Sequence, residues 1–121
     1  MNITVVGTGY VVLVTGTCFA NAGARVICLD NDAEKIETLQ RGESPFFEPS
    51  LSELMTKSIH AKRLRFTHDS HDAYEDADVI FICVGTPTGD DGRCDLTNIF
   101  QVTDDIAESV PGSIDPPLVL V

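Results

Sequence analysis

Two glycines and an aspartate carry the first chemical signal in this sequence. Gly7 and Gly9 flank Thr8, directly after the apolar β-branched run Ile3 to Val6 and before a segment, Tyr10 to Ala22, whose apolar residues recur at helical spacing. Strand, glycine turn and helix N-terminus in that order make an anion cradle. The first glycine forms the tight turn, the second lets backbone N–H groups approach a pyrophosphate, and the helix end adds donors and the positive end of its dipole. Asp30 closes the next apolar run, Arg25 to Leu29, about 20 residues on, where a carboxylate accepts hydrogen bonds from both hydroxyls of a ribose. The chemistry encoded is binding of a dinucleotide. A 2′-phosphate would set its charge against Asp30, and the next residues, Asn31 and Asp32, offer no arginine to receive it, so NAD is favoured over NADP.

Other residues could do chemistry, with weaker support. Thr86 stands at the carboxyl end of an apolar strand, Asp78 to Val84, on the rim where open α/β sheets bind ligands. His68 and His71, with Asp69 and Asp72, have the residue types of a metal site, but the segment also caps a short helix, and no metal site is expected. The 4 cysteines, Cys18, Cys28, Cys83 and Cys94, form no Cys-x-x-Cys pair, and three sit inside apolar runs, where a thiol acts as a small core hydrophobe. Lys57, Lys62, Arg63 and Arg65 form a basic patch that reads as a solvated face. Val12 occupies the third position of G-x-G-x-x-G/A, where a small residue lets the helix approach the strand. A β-branched side chain there is expected to push the helix outward, at a cost of roughly 1–3 kcal/mol, and to weaken cofactor binding.

The elements that must position these residues follow from apolar spacing. Gly23 stops the first helix, Asp32 caps a second that carries Ile36 and Leu39, and Gly42 ends it. Glu43 to Ser50, with Pro45 and Pro49 around Phe46 and Phe47, reads as an ordered loop. A helix from Ser50 or Ser52 to about Ser58, a short strand Leu64 to Thr67, a brief helix capped by Asp69 or Ser70, and the strand Asp78 to Val84 come next. Thr88 to Asp95 is a polar hairpin or loop, and Leu96 to Ser109 a helix leading to a last strand. Alternation of helices with nearly continuous apolar strands predicts an α/β fold: a Rossmann-type, doubly wound parallel sheet. Pro116 to Val121 reads as the opening of a buried strand, so a domain incomplete at its C-terminal end is expected over residues 1–121.

Composition bounds the function. At 121 residues and 43% hydrophobic content, one domain with one core is expected. A formal charge of -11 argues against sequence-independent binding to nucleic acid or to an anionic membrane, both of which need a basic face. No stretch approaches the ~20 apolar residues of a membrane span, and no basic region precedes the first apolar run, so a cytoplasmic location is expected.

A resemblance makes the reading specific. Val5-Val6-Gly7-Thr8-Gly9-Tyr10-Val11-Val12-Leu13-Val14, Asp30-Asn31-Asp32-Ala33-Glu34-Lys35-Ile36, Gly42 through Glu48-Pro49, Gly85-Thr86-Pro87, and Asp91-Gly92 with Asp95-Leu96 resemble successive N-terminal signatures of the UDP-glucose/GDP-mannose dehydrogenase family. The family has glycine where this chain has Val12. The resemblance implies NAD as cofactor, backbone contacts from Tyr10 and Val11 to its pyrophosphate beside Gly7 and Gly9, Asp30 on the ribose, and Lys35 on the adenosine side. It also implies that Thr86 lies near the nicotinamide as an accessory catalytic residue. Members oxidise a nucleotide sugar through a cysteine-linked thiohemiacetal and thioester, and Gly-Thr-Pro before an acidic glycine loop looks most like those acting on UDP-glucose. The central and sugar-binding domains, absent here, hold that sugar and the essential cysteine, which none of the cysteines present matches. The implied whole enzyme is a homodimer and the chain alone inactive. The alternatives are a GDP-mannose or UDP-N-acetylhexosamine substrate, or a non-catalytic NAD-sensing module.

Overall fold

The computed structural model describes residues 1–7, 9–43, 49–85, 87–110 and 116–120. Strands and helices alternate along them: β1 (Asn2–Val6), α1 (Tyr10–Asn21), β2 (Arg25–Leu29), α2 (Ala33–Gln40), α3 (Pro49–His60), β3 (Leu64–Thr67), α4 (Ser70–Tyr74), β4 (Val79–Ile82), α5 (Thr97–Ser109) and β5 (Leu118–Leu120). The strands form one sheet in the order β3-β2-β1-β4-β5, and every neighbouring pair is parallel. From β1 the chain winds outward through β2 to β3, then returns across β1 to start again at β4. The switch between the two directions lies between β1 and β4, where open α/β sheets leave a crevice at the carboxyl ends of their strands. This is the doubly wound sheet that the sequence predicts.

The strands β1, β2 and β4 read as continuously apolar because each packs on both faces. Ile3 and Val5 of β1, Val26 and Cys28 of β2, and Leu64 and Phe66 of β3 point to one face and pack with Val12 and Leu13 of α1, Ile36 and Leu39 of α2, and Leu51 and Met55 of α3. Val6, Leu29, Ile80 and Ile82 point to the other and pack with Ala73 and Tyr74 of α4 and Val102 and Ile106 of α5.

Three helices end in the same way, with a left-handed residue whose N–H turns back on the helix and a following N–H that reaches the carbonyl one residue earlier. Gly23 (φ 110) closes α1 with Gly23 N to Ala20 O and Ala24 N to Phe19 O, and Gly42 (φ 81) closes α2 with Gly42 N to Leu39 O and Glu43 N to Thr38 O. At the end of α3 the residue is Lys62 (φ 60), with Lys62 N to Ile59 O and Arg63 N to Ser58 O. That non-glycine stop explains why the sequence ends this helix too early.

Three expectations need correction. Of the cysteines only Cys28 is buried; Cys18, Cys83 and Cys94 are exposed, because Cys18 falls on the outer side of α1 and Cys83 lies beyond the end of β4. The last strand is an exposed edge, with Leu118 58%, Val119 40% and Leu120 40% accessible, because β5 pairs with β4 alone and no described helix covers it. Val12 packs in the core and is 3% exposed. Its Cγ2 lies 3.7 Å from where a Cβ on Gly7 would stand, so the valine fills space that Gly7 leaves free. The close approach of α1 to the sheet is made one turn later at Gly16, where a Cβ would stand 3.1 Å from Cys28 Sγ. Most of the loop expected between Glu43 and Ser50 lies outside the described residues. Thr88 to Asp95 is a hairpin closed by an antiparallel bridge between Thr88 and Cys94. No described helix is long and apolar enough to cross a membrane.

Candidate functional site

At the carboxyl edge of the sheet a cleft of about 560 Å³ opens over β1, β2 and β4. Its floor is the glycine turn. Gly7, at φ 115, donates its N–H to Leu29 O at 2.7 Å, and a Cβ on it would stand 2.9 Å from the Cys83 carbonyl oxygen. Backbone conformation and the crossing of β4 therefore both demand glycine here. Gly9 differs. It is the N-cap of α1 with an ordinary φ of -70, and nothing lies within 4 Å of where its Cβ would be. The fold places no steric demand on Gly9; its missing side chain keeps the cleft open where the helix begins.

That helix end is electrostatically prepared for an anion. Gly9, the N-cap of α1, has no side chain to cap the helix and no acidic residue sits in its first turn, whereas Asp32 caps α2 and Asp69 caps α4. Tyr10 and Val11, the first helical residues, are both exposed beside the turn. A phosphate at this end would meet backbone donors and the positive end of the dipole, as a Rossmann cradle requires.

Across the cleft Asp30 follows β2. Its N–H donates to Thr67 O at 3.2 Å, its Oδ1 accepts the N–H of Asp32 at 3.0 Å, and its Oδ2 lies 3.9 Å from Lys35 Nζ. The carboxylate is 16% exposed, fixed by the start of α2 while still lining the cleft. Lys35 lines the cleft too, so the lysine that residue type alone assigns to a solvated helix surface faces the same space as Asp30. The residues present thus fit a dinucleotide: a helix N-terminus beside glycines and, opposite, a held carboxylate.

The structure brings Gly7, Gly9, Asp30 and Lys35 together in one cleft, with Tyr10 and Val11 beside it. Thr86 lies outside the described residues, although its neighbour Gly85 lines the cleft. The sequence does not point to Asn98, Gln101 and Asp105, which α5 places on the cleft wall. Asn98 Nδ2 donates to Gly85 O at 3.1 Å and ties α5 to the end of β4, while Gln101 Nε2 donates to Asp105 Oδ1 at 3.1 Å. Their spacing, three and four residues apart on one helix, was the available signal. His68 from the β3–α4 connection and Ser70 from the start of α4 reach the cleft, and no cluster of metal-ligating side chains occurs among the described residues. Of the thiols, burial pushes Cys28 up to about 12 and also raises Cys83, which lines the cleft.

Residues 1–114 match the UDP-glucose/GDP-mannose dehydrogenase family, NAD binding domain. A UDP-glucose 6-dehydrogenase of Pseudomonas aeruginosa is 42% identical over 106 residues, which are 88% of this chain and 23% of that protein. A UDP-glucose 6-dehydrogenase of Bacillus subtilis is 47% identical over 110 residues, 91% of this chain and 25% of that one. The crystal structure of a ternary complex of GDP-mannose dehydrogenase from Pseudomonas aeruginosa superposes with a TM-score of 0.92 at 36% identity, covering 98% of this chain and 27% of that one. The chain spans about a quarter of the length of the curated relatives it matches.

Proposed function

The chain belongs to the UDP-glucose/GDP-mannose dehydrogenase family as an NAD-binding domain, and from that premise we propose that it seats NAD for the oxidation of UDP-glucose to UDP-glucuronate. The observation that carries the reading is the pairing, across one cleft, of the glycine turn at the α1 N-terminus with a carboxylate held by α2. Backbone N–H groups at Gly9, Tyr10 and Val11 bind the pyrophosphate. Asp30 accepts from the ribose hydroxyls, Lys35 lies on the adenosine side, and Thr86 serves as the accessory residue near the nicotinamide. When bound, NAD supplies the hydride acceptor; the chain's own residues bind it, orient it and exclude the 2′-phosphate of NADP. UDP-glucose as substrate is supported by the names of the relatives at 42% and 47% identity. A GDP-mannose substrate is the second reading, favoured by the TM-score of 0.92 to a GDP-mannose dehydrogenase.

We further propose that residues 1–121 are one part of the enzyme, that domains beyond them supply the nucleotide-sugar site and the catalytic cysteine, and that the whole enzyme pairs as a homodimer. Burial keeps the Cys28 thiol protonated and raises Cys83, which leaves neither poised as a nucleophilic thiolate. Calorimetric titration tests the cofactor seat: NAD binds the chain more tightly than NADP, and Asp30→Ala loses that preference. Retention of wild-type NAD affinity in Asp30→Ala overturns the ribose role. The chain mixed with NAD and UDP-glucose forms no NADH; measurable turnover overturns the division of labour.

A further inference from the structure

On the opposite, amino-terminal edge of the sheet lies a second cleft, of about 540 Å³, formed where β1, β2 and β3 begin. Its charge is at odds with the rest of the molecule. The chain holds 8 lysines and arginines against 19 acidic residues, yet Arg25, Lys62, Arg63 and Arg65 all line this one cleft. Arg65 is paired with Asp72, but Arg25, Lys62 and Arg63 form no salt bridge among the described residues. Asp76 is the acidic residue in the lining, and the carbonyl end of α3 adds about half a negative charge, so a positive excess remains. Beneath the cations the cleft wall is apolar, with Ile27 and Ile59 half-buried in it.

Lys62 gives the cleft a second, independent mark. It occupies the left-handed position that ends α3, with φ 60, and Gly23 and Gly42 hold the equivalent positions after α1 and α2 without steric cost. At the one helix end that faces a basic cleft, a lysine stands in a conformation that glycine adopts more readily.

We propose that this edge is a second binding site, for a phosphate ester of nucleotide size, separate from the NAD cleft. The volume lies within the usual range for small-molecule sites, arginine guanidinium groups fork onto phosphate oxygens, and the apolar wall takes a flat ring. Titration of the isotopically labelled chain with ADP, followed by backbone amide shifts, gives the test. ADP moves the amides of residues 25–27 and 62–65 as a set distinct from those of residues 7–11, and pyrophosphate or adenosine alone binds the first set more weakly. Lys62→Gly relieves the strained turn, so its thermal midpoint equals or exceeds that of the parent. Its ADP affinity at residues 62–65 falls by about fivefold, the weight of a solvent-screened charged contact. Arg63→Gln weakens the same set by a similar factor and leaves residues 7–11 unaffected. Shifts confined to residues 7–11, wild-type affinity in Lys62→Gly, or pyrophosphate binding as tightly as ADP each overturns the proposal.

Discussion

Gly7 and Gly9 look alike in the sequence and differ in what requires them. Gly7 is held at φ 115 with the Cys83 carbonyl where a Cβ would be, so Gly7→Ala combines a left-handed alanine with a backbone clash. The expected loss is about 2–4 kcal/mol of stability, from strain of about 1–3 kcal/mol plus the displacement of β4. Gly9→Ala meets nothing within 4 Å, so its loss of stability is limited to the N-cap preference for glycine over alanine, about 1 kcal/mol. Its methyl group enters the space over the helix N-terminus, so NAD affinity falls by about tenfold or more, the loss of one charge-assisted hydrogen bond. Chemical denaturation and NAD titration on both variants separate the two roles; equal NAD affinity in Gly9→Ala and wild type removes the phosphate from this turn. Cys28 supplies a pH signature. Burial raises its thiol to about 12, above the unfolded value of about 8.5, so its contribution is complete below pH about 8.5 and is lost as pH rises toward 12. Between pH 8.5 and 10 the wild type should lose about 1–2 kcal/mol more than Cys28→Ala, measured by urea unfolding. The glycines and Asp30 were legible because each has a unique local reason. Asn98, Gln101 and Asp105 were not, since an exposed polar stripe on α5 acquires meaning only when the sheet sets the helix beside β4.

At the scale of elements, strand and helix order was legible throughout, because alternating faces and polar caps are local signals. What failed depended on neighbours. Leu118 to Leu120 is as apolar as any central strand and yet lies exposed at the sheet edge, since composition does not reveal how many partners a strand has. Cys18 and Cys83 lie in apolar runs, but one falls on the outer side of its helix and the other beyond its strand. Several recurring polar signatures turn out to shape the backbone: Asp91 Oδ1 accepts the Arg93 N–H at 3.0 Å, Gly92 takes φ 79, and Asp95 Oδ1 accepts the Thr97 N–H at 3.0 Å. Val12 shows how context reverses an expectation. Gly16 already gives α1 its close approach, and Val12 packs in the core without lining the cleft. Val12→Gly therefore removes buried apolar surface worth about 1.5–3 kcal/mol and adds a helix penalty of about 1 kcal/mol. It should unfold at lower urea while binding NAD within about twofold of wild type, a difference below 0.5 kcal/mol. A tenfold gain in affinity would show that the valine does hold the helix away from the cofactor.

For the molecule as a whole, the two clefts sit at opposite ends of the same strands in opposite electrostatic settings. The net charge of -11 surrounds a carboxyl-edge cleft that carries its own Asp30 and Asp105, and the ligand expected there bears a pyrophosphate. Long-range repulsion of an anionic ligand is screened once the Debye length shrinks from about 30 Å at 0.01 M salt to about 3 Å at 1 M. The attraction that holds the pyrophosphate acts through hydrogen bonds to the α1 N-terminus at contact distance, where salt screens far less. The repulsive part fades first, so NAD affinity should rise with salt, by about two- to fivefold over that range. At the amino-terminal edge the order is inverted. Arg25, Lys62 and Arg63 are exposed attractive charges, and ADP bound among them should weaken as salt rises, as for any phosphate held by solvated cations. Parallel titrations at low and high salt, with the residue 7–11 and 62–65 amides as reporters, give two slopes on one sample. Opposite signs are expected. A common negative slope would mean that cations rather than the helix end dominate both clefts, and would place the NAD phosphates nearer Lys35 than the glycine turn.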